Sequence, residues 1–261
     1  MFNGLKIGSS GMKTAQNVMD NVADQIANAS TSGYKKKQVD FTSLLMNKIG
    51  DTQVKLSVNA KDAGINIGSK AILSKTDFRQ GGLATSEGDF HMALEGKGFF
   101  GVATKEGELL LTRNGGFHMN ADFSITDDGG NLLSMETYLP QNQWPDGSKL
   151  NINEEGYITT VDDDNQIVGL GRVIVYSPEN NDELVSLGEG KYAQPNGLAL
   201  YNSIDNPGKI NGLIRHNYIE NSNVDTLQSM TDMLTTQRAY QASARSVTTA
   251  DTMLDVINQI V

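Results

Sequence analysis

An apolar seven-residue repeat marks both ends of this chain and is missing from the stretch between them. Near the start, Leu5, Met12, Met19 and Ile26 stand seven apart, with Gly8, Ala15, Val22 and Ala29 at the companion positions. That is an a/d heptad kept over about four repeats, with small residues on one of its two rows. It stops at Ser30-Thr31-Ser32-Gly33, a C-terminal helix break. A helix of about 25 residues reaches roughly 37 Å. Towards the far end, Val224, Leu227, Met230 and Leu234 form one stripe, and Tyr240, Val247, Leu254 and Val261 then recur at seven, with Ala250 and Ile257 between them. Asn223 is the expected N-cap of this second helix, with Asp225 in its first turn.

Chain termini ordinarily fray, so a long apolar stripe at each end needs something to cover it. Neither stripe has a partner in its own local sequence. The economical arrangement is that the two helices pair with each other and then with helices of other copies. The competing arrangement is an ordinary intramolecular core into which Met12, Met19, Met230 and Met233 pack.

Between the helices the pattern is β. Glycine is used 27 times and proline 5 times, which suits a body of short strands and tight turns. "DFHMAL" alternates Phe90, Met92 and Leu94 against other partners, and "LLLTRNGGFHM" places Asn114-Gly115 between two apolar runs, a strong hairpin signal. "FSITDDGGNLL", "LNINEEGYITTV" and "TTVDDDNQIVGLGRVIVY" repeat the arrangement of strand, polar turn and strand. The expected fold is therefore α+β: long N- and C-terminal helices pairing as a coiled coil around a central antiparallel β-rich domain. Residues 1–31 with 217–261 would form the helical domain and 76–216 the β domain. Residues 32–75 would connect them with some extended chain, and "FTSLLMNKIG" within that segment is also readable as a short helix.

No chemistry emerges from the motifs. The formal net charge is −10, which argues against a nucleic-acid partner. Residues 1–50 carry six lysines against three aspartates, +3, leaving −13 for the remainder. Lys35-Lys36-Lys37 reads either as a solvated turn or as a basic edge meeting an acidic neighbour. There is no cysteine, hence no disulfide and no thiol chemistry. No run approaches ~18 apolar residues, so no membrane insertion is expected, and the start has no h-region or cleavage site. His91, His118 and His216 lack metal-ligand spacing. "VDDDNQIVG" lacks the glycine and terminal glutamate of a calcium loop and reads as a hairpin turn. No phosphate loop, dinucleotide fingerprint or nucleophile elbow is present. No cofactor, metal or catalytic residue is expected. An enzyme acting on peptidoglycan through paired carboxylates has only the acidic surplus in its favour.

Three stretches carry a resemblance. "GSSGMKTAQNVMDNVADQIANASTSGYKKKQVDF" near the start, "EGKGFF" followed by "LTRNGGF" in the β body, and "NYIENSNVDTLQSMTDMLTTQRAYQASARSVTTADTMLDVINQ" at the end resemble the axial proteins of the bacterial flagellum, the rod and hook group. They cover roughly a third of the chain, in family order. The chain departs from the family at Asp24-Gln25, where paired asparagines are usual, and around "YLPQNQWPDGSK".

The resemblance implies a subunit of a hollow helical tube in the flagellar basal body, within the cell envelope and periplasm. It implies delivery by the flagellar type III export apparatus. It implies as partners copies of the chain, other rod and hook proteins, and the rings around the rod. The helices would line the inner layer and the β domain the outer one. The residues expected to carry assembly are Leu5, Met12, Ala15, Met19, Val22 and Ile26, with Leu227, Leu234, Tyr240, Val247, Ala250, Leu254 and Ile257. The alternative from another class is a monomeric β-domain binding module whose helices close into a hairpin.

Overall fold

The computed structural model describes residues 2–48, 64–140, 144, 150–161, 166–195, 197–206, 208 and 212–260. It is α+β, with a helix towards each end of the chain and a β-rich body between them. The chain divides into two compact units. The first gathers Met1–Ala27, Lys37–Thr76 and Asp225–Val261; the second gathers Asn28–Lys36 and Asp77–Val224. The backbone therefore passes from one unit to the other four times.

In the first unit, α1 spans Phe2–Ala27 and α2 spans Thr226–Ile260. Between them in sequence, β1 (Lys37–Lys48) and β2 (Gly64–Thr76) form an antiparallel ribbon running from Lys37 opposite Thr76 to Lys48 opposite Gly64. The stretch "FTSLLMNKI", open to a helical reading, is strand as far as Lys48. A ladder with a cross-strand partner decides here, because β structure depends on pairing more than on local preference. The cap of α2 also differs from expectation. Asp225, not Asn223, accepts from the backbone of the first turn, with Gln228 N–H donating to its Oδ1 at 3.1 Å.

The strands of the second unit are short. The first seven are β3 Leu83–Thr85, β4 Phe90–Glu95, β5 Phe99–Ala103, β6 Leu109–Thr112, β7 Gly116–Met119, β8 Ile125–Thr126 and β9 Leu132–Leu133. Then come β10 Met135–Thr137, β11 Leu150–Ile152, β12 Tyr157–Val161, β13 Ile167–Val173 and β14 Val175–Pro178. The last five are β15 Val185–Gly188, β16 Lys191–Ala193, β17 Leu200–Asn202, β18 Leu213–His216 and β19 Tyr218–Glu220. Among the described residues, eleven of them share one antiparallel sheet, in the order β15-β16-β6-β5-β9-β8-β7-β4-β18, with β14 and β17 branching from β5. A second sheet runs β10-β13-β12-β11, and β3 pairs with β19.

Three expected hairpins form: β8 with β9, β11 with β12, and β12 with β13. The turn of the last, residues 162–165, lies outside the described residues. The Asn114-Gly115 hairpin does not form, since β6 pairs with β5 and β16 while β7 pairs with β4 and β8. The dipeptide is instead a crossing point. The Gly115 carbonyl accepts from Met92 N–H at 3.0 Å, and Asn114 Oδ1 accepts from Gly116 N–H at 3.1 Å.

The main core draws Met92, Leu94, Phe100, Val102, Ile158, Leu170, Val173 and Ile214 out of water. Each contributes about 1.5–3 kcal/mol of transfer free energy. The chain's one tryptophan, Trp144, is buried against Phe90 and donates to the Leu139 carbonyl at 3.1 Å. A smaller cluster joins Phe99, Leu111 and Tyr192, with Phe78 edge-on to both rings.

Burial pushes the Tyr192 phenol up to about 12, against a counter-pull from Arg113. A folded-state value above the unfolded one means that this stability is intact below about pH 10 and fades as pH rises through the folded value. A shift of that size is worth roughly 2–3 kcal/mol. Urea melts between pH 9 and 12 are expected to show this loss, and Tyr192→Phe is expected to flatten it. An unchanged slope in the phenylalanine variant would place the alkaline weakness elsewhere.

Candidate assembly surface

α1 and α2 lie side by side at van der Waals distance. A Cβ added to Gly8 would stand 2.6 Å from Val247 Cγ2, and one added to Gly11 would stand 2.9 Å from Ser243 Oγ. Moving three residues forward on α1 moves four back on α2, so the helices run antiparallel. Gly8, Ala15 and Val22 are buried on this side of α1. The opposing row of α2 is Ser229, Thr236, Ser243 and Ala250, spaced by seven, interleaved with Met233, Tyr240, Val247 and Leu254. Thr236 satisfies its hydroxyl on the Asp232 carbonyl at 2.7 Å, while Ser229 Oγ is buried without a hydrogen-bond partner among the described residues.

The other flank of α1 meets the ribbon through polar side chains. Thr14 Oγ1 donates to the Ser69 carbonyl at 2.8 Å, Gln25 Nε2 donates to the Lys37 carbonyl at 2.8 Å, and Lys37 lies 3.8 Å from Asp24. The helix is therefore covered on two sides, one apolar and one hydrogen-bonded.

The expected assembly residues fall into three groups. Ala15 and Val22 are buried, and Val247, Ala250 and Leu254 are partly so. Leu5, Met12, Met19 and Ile26 are half-buried along one edge of the seam. Leu227, Leu234, Tyr240 and Ile257 are exposed. The heptad reading passed over Thr14, Val18 and Gln25 on α1 and the serine–threonine row on α2. The sevenfold spacing of Ser229, Thr236, Ser243 and Ala250 was the available signal, hidden because those residues are not large and apolar.

A second constellation sits in the β-rich unit, where the chain leaves α1 and approaches α2. Lys35 is fully buried, which overturns the solvated-turn reading of the lysine triplet for that residue. Its Nζ donates to Glu220 Oε1 at 2.6 Å and to the Arg79 carbonyl at 2.8 Å. Glu220, equally buried, also accepts from Gly81 N–H at 2.8 Å and, through Oε2, from Arg113 Nη1 at 3.3 Å. Arg113 Nη2 donates to the Gly96 carbonyl at 2.8 Å, and the guanidinium lies 5.3 Å from the Phe99 ring centre. Burial holds Lys35 and Arg113 below their ordinary values, with Glu220 opposing in both cases. Beside this trio, Asn223 accepts from Lys36 N–H at 2.7 Å and donates to the Asp77 carbonyl at 2.7 Å. That is the role it takes instead of capping α2.

Among the described residues no group of three or more His, Asp or Glu is placed to hold a metal ion. The histidines are taken up separately: His91 on Ser86 Oγ at 2.6 Å, His216 on the Asp89 carbonyl at 2.9 Å, and His118 near Asp128 at 3.9 Å. No helix among the described residues is long and apolar enough to cross a membrane.

Two paired terminal helices, a ribbon laid on one of them and a separate antiparallel β body make a recognisable class. Residues 93–160 match the family described as the flagellar hook protein FlgE/F/G D1 domain, and residues 215–260 match the C-terminal region of the flagellar basal-body rod FlgEFG proteins. The chain belongs to the flagellar rod and hook family. It is similar over its full length to the basal-body rod protein FlgG of Buchnera aphidicola subsp. Schizaphis graminum, at 27% identity with all of both chains covered. The corresponding figures are 29% and 99% of both chains for FlgG of Agrobacterium fabrum, and 26% and 97% of both for that of Bacillus subtilis. Within the family it is most like the distal rod protein, a structural subunit of the basal-body rod.

Proposed function

We propose that this chain polymerises head to tail into a hollow helical rod that transmits torque and conducts exported subunits, without enzymatic activity of its own. The terminal helices, residues 1–31 and 217–261, supply an inner coiled-coil layer around the channel. The β unit at 76–216 supplies an outer layer facing the rings that surround a rod, with 32–75 connecting the two. Copies of the chain and neighbouring rod and hook proteins are its partners in the cell envelope. The type III export apparatus delivers it there without a cleaved leader.

The observation that carries this reading is the distribution of apolar surface on α2. The helix already packs against α1, yet Leu227, Met230, Leu234, Met253, Val256 and Ile257 remain in water. A monomer meant to stay monomeric does not usually leave such stripes open. Contacts of a heterologous kind that do not close generate filaments. The rival reading, a binding module with a closed hairpin, draws on the same α1–α2 packing and leaves the open stripes unexplained.

A strain lacking the chain is expected to swim no better than a non-flagellated control and to yield basal bodies with incomplete rods in electron micrographs. Restoring the chain should restore both. A chain carrying Leu254→Asp or Ile26→Asp should fail to restore them while Trp144 fluorescence shows an intact β unit, because each places a carboxylate beside the seam. Swimming in the deletion strain would sink the proposal.

A further inference from the structure

α2 is longer than the helix it packs on, and all of the excess lies at one end. With Gly8 against Val247 and Gly11 against Ser243, an antiparallel register brings Phe2 opposite about residue 252 and Ala27 opposite about residue 227. The helices are flush at the Ala27 end. At the other, the last eight or so residues of α2 run beyond α1 by roughly 12 Å. The seam row Val247, Ala250, Leu254 continues into Ile257, so the half of the seam carried by α2 extends past its partner. Met253 and Val256 stand beside it.

A second open stripe lies at the opposite end of the same helix, on the side away from the seam: Leu227, Met230 and Leu234, spaced by three and four. The six side chains are between 41% and 78% exposed. Both stripes are about two turns long, both are apolar, and they sit at different ends and on different faces of one helix.

We propose that the overhang of α2 in one copy, Met253, Val256 and Ile257, docks on the Leu227–Met230–Leu234 stripe of α2 in a second copy. The inference rests on the rod reading and specifies which surfaces of the terminal helices meet. The overhang is continuous with an interface already present, since it extends the α1–α2 seam with α2's own heptad row. What fits it is a helix bearing an unpartnered apolar stripe of matching length, and the chain carries one. Because the two stripes are different surfaces, the contact is heterologous. Each copy keeps one free stripe after pairing, and the offset between stripes in position and azimuth prevents closure into a dimer.

The absence of cysteine makes the test direct. Met230→Cys and Val256→Cys are made singly and together in the full chain, and association is followed by sedimentation before mild oxidation. Within one molecule these positions are 26 residues apart on one helix, roughly 39 Å, far beyond the ~7 Å that a disulfide can bridge. Any 230–256 bond is therefore between copies. The expected result is a ladder of covalent multimers from the double variant and a single dimer band from the mixed single variants. That band should form at least tenfold faster than dimers of either single variant alone.

Efficient dimers from Val256→Cys alone would show a like-to-like contact and overturn the proposal. Association without any 230–256 bond would overturn this contact while leaving the rod reading standing. A chain that stays monomeric at all concentrations also overturns it, and the swimming of the deletion strain then decides separately whether the rod reading falls.

Discussion

Glu220→Ala is expected to cost the β unit about 3–5 kcal/mol, against a total of about 5–15 for a typical domain. The carboxylate stands between two buried cations, Lys35 at 2.6 Å and Arg113 at 3.3 Å, and also holds the Gly81 amide. Removing it leaves two charges in a dry site with nothing to oppose them. Lys35→Met is expected to cost less than half as much, because Glu220 and Arg113 remain a one-to-one pair. Urea unfolding followed at the buried Trp144 measures both, and its midpoint should move without a change of slope. Equal losses for the two variants would mean that packing, not charge balance, sets the stability of this junction.

Gly115→Ala is the second large effect. A Cβ there would overlap the carbonyl oxygen of Met92, a backbone atom in the middle of β4 that cannot step aside. The same approach is what lets the Gly115 carbonyl take the Met92 amide at 3.0 Å. Overpacking against a fixed ladder costs about 3 kcal/mol or more. The expected readout is a lower urea midpoint and faster amide exchange in Met92 and its neighbours. Gly116→Ala next to it meets nothing closer than 3.4 Å and should be nearly neutral. A tolerant Gly115→Ala would show that β4 and the crossing can separate at little cost.

The two substitutions fall in segments that look ordinary in the sequence. "RNGG" has the composition of a hairpin turn, and "KKK" that of a solvated one. Local rules judge a residue by its neighbours in the chain, and in both places the deciding neighbour is remote. Met92 lies far from Gly115 along the strand order, and Glu220 is 185 residues from Lys35. Asn223 shows the same limit, having the right chemistry for a cap and being used instead to hold Lys36 and Asp77.

The sequence by itself determined the two long helices, because a sevenfold apolar period over four or five repeats has no other stable outcome. It also determined the β character of the middle and the hairpins at Asp128-Gly129-Gly130 and Glu154-Glu155-Gly156, where the polar turn and both strands are contiguous. Only the tertiary structure decided which face of each helix is covered. Small residues such as Gly8 and Ser243 are inner-face residues because a second helix comes close enough to use their lack of bulk, a fact about distance that no period in one helix contains. It alone decided that Leu227 and Leu234, as apolar as any seam residue, stay in water. Burial is a property of pairs of surfaces, and a single strand of sequence specifies only one surface of each pair.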